Sequence, residues 1–158
     1  MDEALQYLVE KDAIIETITR LFVGTDERDW EAVRACFMPR VLFDMSSMTG
    51  GAAAELDVGE IVDGWDRGLR HLKAIHHQAG NFRVTVNGDR ADAFCYAIAS
   101  HYLPNITGQN TRLFVGSYDF KLEKDGGAWR IGLFRFNLKY MDGNLQLEGE
   151  VDSSASPS

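Results

Sequence analysis

Four long apolar stretches, near 74–87, 91–103, 111–124 and 128–140, follow one another with only short polar breaks. No other feature restricts the fold of this chain as much. Asn87-Gly88-Asp89 and Lys124-Asp125-Gly126-Gly127 supply hairpin turns, so the stretches predict consecutive, mostly antiparallel strands. Phe94, Tyr96, Ile98 and Tyr102 alternate with Ala93, Cys95, Ala97, Ala99 and His101, and Trp129, Ile131 and Leu133 alternate with Phe134, Phe136 and Leu138. Both faces of the sheet therefore read as apolar. One must cover a core or cavity, and the other is expected to pack on a second subunit as a homo-oligomer, dimer or trimer.

The residues ahead of the strands have a helical period. Over residues 2–25, Leu5, Leu8, Ile15, Phe22 and Val23 fall on one stripe, widened by Ile14, Ile18 and Leu21. Asp29 caps a second, short helix that Pro39 stops. Val41-Leu42-Phe43 is a short strand, Gly50–Ala54 a loop, and residues 58–72 a third helix carrying Ile61, Val62, Trp65 and Leu69. Helices followed by a run of strands predict one α+β domain over residues 1–145. Residues 146–158, acidic and then Ser-rich, are expected to be a disordered tail.

A net charge of −8 argues against nucleic acid and anionic membrane as partners. No apolar run has the length of a membrane span and the acidic N-terminus lacks a signal core, so a cytoplasmic protein is expected. Cys36 and Cys95 sit in apolar patterns without ligand spacing and read as reduced and buried. There is no helical His-x-x-x-His, phosphate loop or nucleophile elbow, so neither metal nor cofactor is expected.

The candidate chemistry lies in Asp26 and the His76-His77 pair. Asp26 shares a helical stripe with Ile15, Thr19, Phe22 and Val23 and should point inward, where a carboxylate needs a partner. At a helix C-terminus the dipole also raises its basicity. The alternative is a solvated residue in the charged turn with Glu27, Arg28 and Asp29. An acid and an imidazole that meet make a proton-transfer dyad, because the carboxylate sets the tautomer of the ring. His76 and His77 point to opposite faces of their strand. The later apolar residues Phe82, Val84 and Val86 share parity with His76, so His77 faces inward only if a bulge near Gly80 intervenes. Without the bulge, His76 is the inward residue.

His101 lies in line with Ala93, Cys95, Ala97 and Ala99, small residues that leave room for a cavity wall; a structural histidine is the plainer reading. Arg135 shares the face of Trp129, Ile131 and Leu133. A buried arginine wants an anionic substrate oxygen or an acidic partner, Asp26 or Asp44. Asn81 would orient His77 or a substrate oxygen, or else satisfy backbone at the bulge. Phe22, Trp65 and Trp129 are candidate apolar walls of a substrate pocket.

Asp26-Glu27-Arg28-Asp29-Trp30, His77-Gln78-Ala79-Gly80-Asn81, Val86–Ala91 and Gly127-Ala128-Trp129-Arg130-Ile131 together resemble the SnoaL-like branch of the nuclear transport factor 2-like superfamily. The resemblance covers residues 5–141 and implies a cone-shaped α+β barrel, its N-terminal helices packed on a curved sheet. It is nearest to the scytalone dehydratase and hexachlorocyclohexane dehydrochlorinase patterns, which use an Asp–His pair inside the cone. The resemblance implies Asp26 as the acid, His77 as the base, and His101 at the place of the dehydratase's second histidine. Arg135 is the candidate counterpart of the arginine that bile-acid dehydratases of this fold carry in their last strands. The dehydratase tyrosines near the acid are missing, since Phe22, Val23, Gly24 and Thr25 precede Asp26. The implied function is a cofactor-independent lyase (dehydratase or dehydrohalogenase-like) or isomerase acting on a small, apolar, cyclic molecule. The alternative is a non-catalytic ligand-binding or oligomerising module, like the beta subunits of ring-hydroxylating dioxygenases.

Overall fold

The computed structural model describes residues 2–149. Its elements run α1 (Glu3–Glu27), α2 (Trp30–Ala35), β1 (Phe37–Asp44), α3 (Ser46–Thr49), β2 (Ala54–Asp57), α4 (Val58–Leu69), β3 (Ala74–Asn87), β4 (Arg90–Tyr102), β5 (Thr111–Asp125) and β6 (Ala128–Gly143). The six strands form one sheet in the order β2-β1-β6-β5-β4-β3. All neighbours are antiparallel except β1 and β6, which are parallel. The expected α+β cone is therefore present but open, with β2 and β3 as its edges.

Helix α1 begins at Asp2, whose side chain accepts from the Ala4 amide, and ends where Arg28 turns left-handed (φ 58°). The Arg28 and Asp29 amides then take up carbonyls of the last helical turn. Arg28 Nη2 also donates to the Leu69 and Leu72 carbonyls, which ties the end of α1 to the end of α4. The buried stripe of α1 is Ile14, Thr17, Ile18, Leu21, Phe22 and Thr25. Leu5, Leu8 and Val23, expected on that stripe, are exposed. The inward face thus keeps Phe22 from the predicted stripe and otherwise centres on Ile14, Ile18 and Leu21, the residues that widened it.

Two bulges decide what faces the helices. On β3 the register shifts between Gly80 and Arg83, with Asn81 in a left-handed conformation (φ 56°) that asparagine tolerates. Ile75, His77 and Ala79 before the bulge and Phe82, Val84 and Val86 after it then pack on the core side. On β6, Ile131 pairs with Leu122 but Leu133 pairs with Lys121, so Gly132 is an extra residue. Trp129 and Ile131 before it and Phe134 and Phe136 after it all belong to the one core. Apart from Leu133, which is buried outside that core, the two-sided apolar pattern of β6 is therefore a one-sided pattern interrupted by a bulge.

That bulge turns Arg135 outward. Its Nε donates to Asp44 Oδ2 at 2.9 Å, and the side chain stays 41% exposed. Hydrogen bonds from Ser46 and Arg135 hold the Asp44 carboxyl down at about 2. The outer face nearby is polar, with Asn137 donating to Ser117 and Asp119.

The packed structure also runs past the expected boundary at 145. Leu147 is 0% exposed against Leu72 and Ile75, and Glu148 pairs with Arg112. The remainder of the predicted tail lies outside the described residues. Cys36 and Cys95 are free and buried, and burial raises their thiols to about 11 and about 12.

Candidate active site

Between α1, α4 and the concave face of the sheet lies a cavity of about 150 Å³. Phe22 and Thr25 reach it from α1, Trp65 and Leu69 from α4, and Met45 and Met48 from α3 and its N-cap. The sheet contributes His77, Ala99, His101, Phe114, Tyr118, Phe134 and Phe136. Its wall is mainly apolar with a few polar groups, the usual make-up of a small-molecule site. A cavity of about 150 Å³ is enough for one six-membered ring. Short helix α3 is pinned there by Ser47, whose hydroxyl donates to the Phe136 carbonyl (2.7 Å) and accepts from the Leu138 amide (2.9 Å).

Asp26 and His77 meet at this cavity, though they are 51 residues apart in the chain. One carboxylate oxygen of Asp26 lies 2.6 Å from His77 Nδ1; the other accepts the His77 backbone N–H at 2.8 Å. Both side chains are largely buried, 14% and 12% exposed. A carboxylate can only accept, so Nδ1 carries a proton, and in the neutral ring the lone pair is on Nε2. No residue among those described bonds to that Nε2. Phe22 stacks on the ring at 5.2 Å and 19°, which fixes its plane. His76 points the other way and is exposed.

His101 is a diagonal neighbour of His77, because His77 pairs with Ala99 on the next strand. Its Nδ1 lies 3.0 Å from Arg112 Nη2. Burial, then the Arg112 charge, pushes its pKa down to about 4, so the ring is neutral at neutral pH. Tyr118 completes the polar lining; burial, with Cys95 and Asp26 nearby, raises its phenol and keeps it protonated.

Of the residues expected at the site, Asp26, His77, His101, Phe22 and Trp65 come together. Arg135 does not, being on the outer face with Asp44. Trp129 is buried against α1, where its Nε1 donates to Glu10 at 2.7 Å, and it does not line the cavity. Asn81 is exposed and serves the bulge. Sequence reasoning missed Arg112, Tyr118, Phe114, Phe136 and the two methionines. Among the described residues no three His, Cys, Asp or Glu side chains form a metal-binding group, and no helix is long and apolar enough to cross a membrane.

A helix-backed open cone with an acid–imidazole pair beside an apolar cavity defines the class of this protein. Residues 6–135 match the SnoaL-like domain, and the chain belongs to that family. Among solved structures it is similar to the Kfla4162 protein of Kribbella flavida (TM-score 0.83, 22% identity, 86% of this chain and 95% of that one). It is also similar to a type 2 hexachlorocyclohexane dehydrochlorinase, LinA (TM-score 0.74, 16% identity, 90% and 93%). A third is a candidate scytalone dehydratase from Novosphingobium aromaticivorans (TM-score 0.76, 15% identity, 87% and 89%). At these identities the likeness is one of fold. No curated protein matches the chain significantly.

Proposed function

We propose that the protein is a cofactor-independent lyase or isomerase that removes a proton from a small, apolar, ring-sized molecule. The observation that carries this reading is the Asp26–His77 pair at 2.6 Å, with the His77 ring lining a cavity of about 150 Å³. His77 Nε2 takes a proton from carbon; the C–H electron pair forms a double bond, either expelling a leaving group or moving onto a conjugated oxygen. Asp26 holds the tautomer and stabilises the imidazolium. Dehydration, dehydrohalogenation and double-bond migration all begin with this step. The fold relatives named for dehydratase and dehydrochlorinase activity fit the same chemistry.

The test is deuterium exchange from D₂O into the acidic carbon of cyclic ketones, β-hydroxy ketones and halogenated cyclohexanes, screened first for binding by thermal shift. Exchange or elimination that depends on His77 is expected. A ring-sized compound with an acidic C–H that binds tightly and never exchanges would instead favour a non-catalytic binder.

The assembly proposed is a homo-oligomer in a reducing compartment, where two free buried thiols persist. With β6 now one-sided, the support is narrower: Tyr96 and Ile98 on outer β4, and Tyr140, remain about half exposed. Sedimentation at micromolar concentration should give a dimer or trimer, and Tyr96→Glu/Ile98→Glu should give a monomer. A monomeric parent protein contradicts the assembly without touching the chemistry.

A further inference from the structure

The cavity holds a second imidazole whose back side is as deliberately occupied as that of His77, but by a group of opposite character. Arg112 stands directly across from His101 in the β4–β5 ladder. Its side chain is only 13% exposed. Nη2 lies 3.0 Å from His101 Nδ1, and the guanidinium grips both oxygens of Glu148 at 2.6 Å. Phe114 lies beneath both, with the guanidinium carbon 5.4 Å and the His101 ring 5.0 Å from its centre. Glu148 comes from the segment after β6, which folds back over the strand ends. The Asn144 amide donates to the Thr111 carbonyl there, and Leu147 is sunk against Leu72 and Ile75.

Guanidinium has donors only. A nitrogen facing it at hydrogen-bond distance must therefore offer a lone pair, and the ring proton must sit on the other nitrogen. Asp26 imposes the reverse on His77. We propose that Arg112, braced by Glu148, is a positioning residue that locks His101 as an Nε2–H donor, so that the cavity presents one imidazole lone pair and one imidazole N–H side by side. The inference rests on reading the cavity as a proton-transfer site, and it narrows the substrate. The molecule should carry an oxygen acceptor near its acidic C–H, as an enolisable cyclic carbonyl does. As His77 Nε2 takes the proton, the C–H pair becomes the C=C bond and the carbonyl π pair moves to oxygen. The developing charge on that oxygen is met by His101 Nε2–H, which donates a hydrogen bond without giving up its proton.

The charges that act on His101 agree with this assignment. Arg112 on β5, His77 on β3 and His71 after α4 disfavour its protonation, and only Glu148 opposes them. Burial, the largest influence, acts in the same direction. The His101 ring is thus neutral at neutral pH.

The test reads tautomers directly and needs no substrate. In ¹⁵N-histidine-labelled full-length protein, long-range ¹H–¹⁵N correlations should show His101 as Nε2–H and His77 as Nδ1–H. His101 should not titrate until the pH approaches about 4. In Arg112→Met the His101 tautomers should mix and the midpoint should move upward. In Arg112→Lys, which retains a donor, the Nε2–H form should persist. Glu148→Gln loosens Arg112 without removing it and should give an intermediate ratio. A wild-type His101 protonated on Nδ1, or an Arg112→Met protein with an unchanged ratio and midpoint, overturns the proposal. Should Arg112→Met fail to fold, the wild-type tautomer and the Glu148→Gln ratio still decide it. Failure here is distinct from failure of the proton-transfer reading. An Nε2–H His101 in a protein that never exchanges deuterium sinks only the latter; turnover with His101 as Nδ1–H sinks only the former.

Discussion

His77→Ala is expected to lower turnover of a confirmed substrate by about 10²–10⁴-fold, the usual contribution of a positioned general base. His76→Ala should leave turnover close to wild type. The two residues are adjacent on one edge strand, so a generally fragile strand would punish both. They differ in where they point. His77 is 12% exposed, stacked on Phe22 and bonded to Asp26, whereas His76 is exposed on the opposite face. Melting temperatures of both variants separate loss of chemistry from loss of fold. If His76→Ala abolishes turnover and His77→Ala does not, the inward residue has been misassigned. Equal turnover in both variants and wild type would remove His77 from the mechanism.

What could be read from the chain before its structure depended on how local the signal was. The four long strands were legible because alternation and turn residues are local, and the ladders follow them within three residues at every end. The bulge at Gly80 was legible for a particular reason. Once the family resemblance sets His77 inward, His77 and Val84 conflict in parity, and a conflict inside one strand calls for an inserted residue. The bulge at Gly132 carried no such conflict, since apolar residues of both parities also describe a strand buried on both faces. That single ambiguity misplaced Arg135 and overstated the outer apolar surface. Trp129 was misplaced because its partner, Glu10, is 119 residues away on α1. Arg112 was missed because the residue that explains it, Glu148, lies where composition indicated a disordered tail. Even the α1 stripe erred in a physical way. Leu5 and Leu8 obey the helical period, yet they remain exposed. Asp26 and His77 were readable from residue chemistry joined to a family pattern, but their contact could come only from the fold.

Asp26→Asn is the most incisive single substitution, because it alters hydrogen-bonding character while leaving shape nearly unchanged. The carboxylate accepts twice, from the His77 backbone N–H at 2.8 Å and from Nδ1 at 2.6 Å. An amide has one oxygen and one NH₂. If its oxygen keeps the backbone N–H, its NH₂ faces Nδ1, which must then surrender its proton to Nε2. His77 would become an Nε2–H donor, the state inferred for His101, and the cavity would hold two donors and no base. Turnover should fall by about 10²–10⁴-fold, as for loss of the base itself. If instead the amide turns its NH₂ to the backbone, a buried N–H loses its acceptor, at a cost of about 1–3 kcal/mol in stability. The two responses are distinguishable. The first leaves the melting temperature near wild type and shows the reversed tautomer in ¹⁵N spectra; the second lowers the melting temperature and keeps Nδ1–H. A folded variant with the tautomer reversed and turnover unchanged would mean that the proton leaves the substrate for some group other than His77.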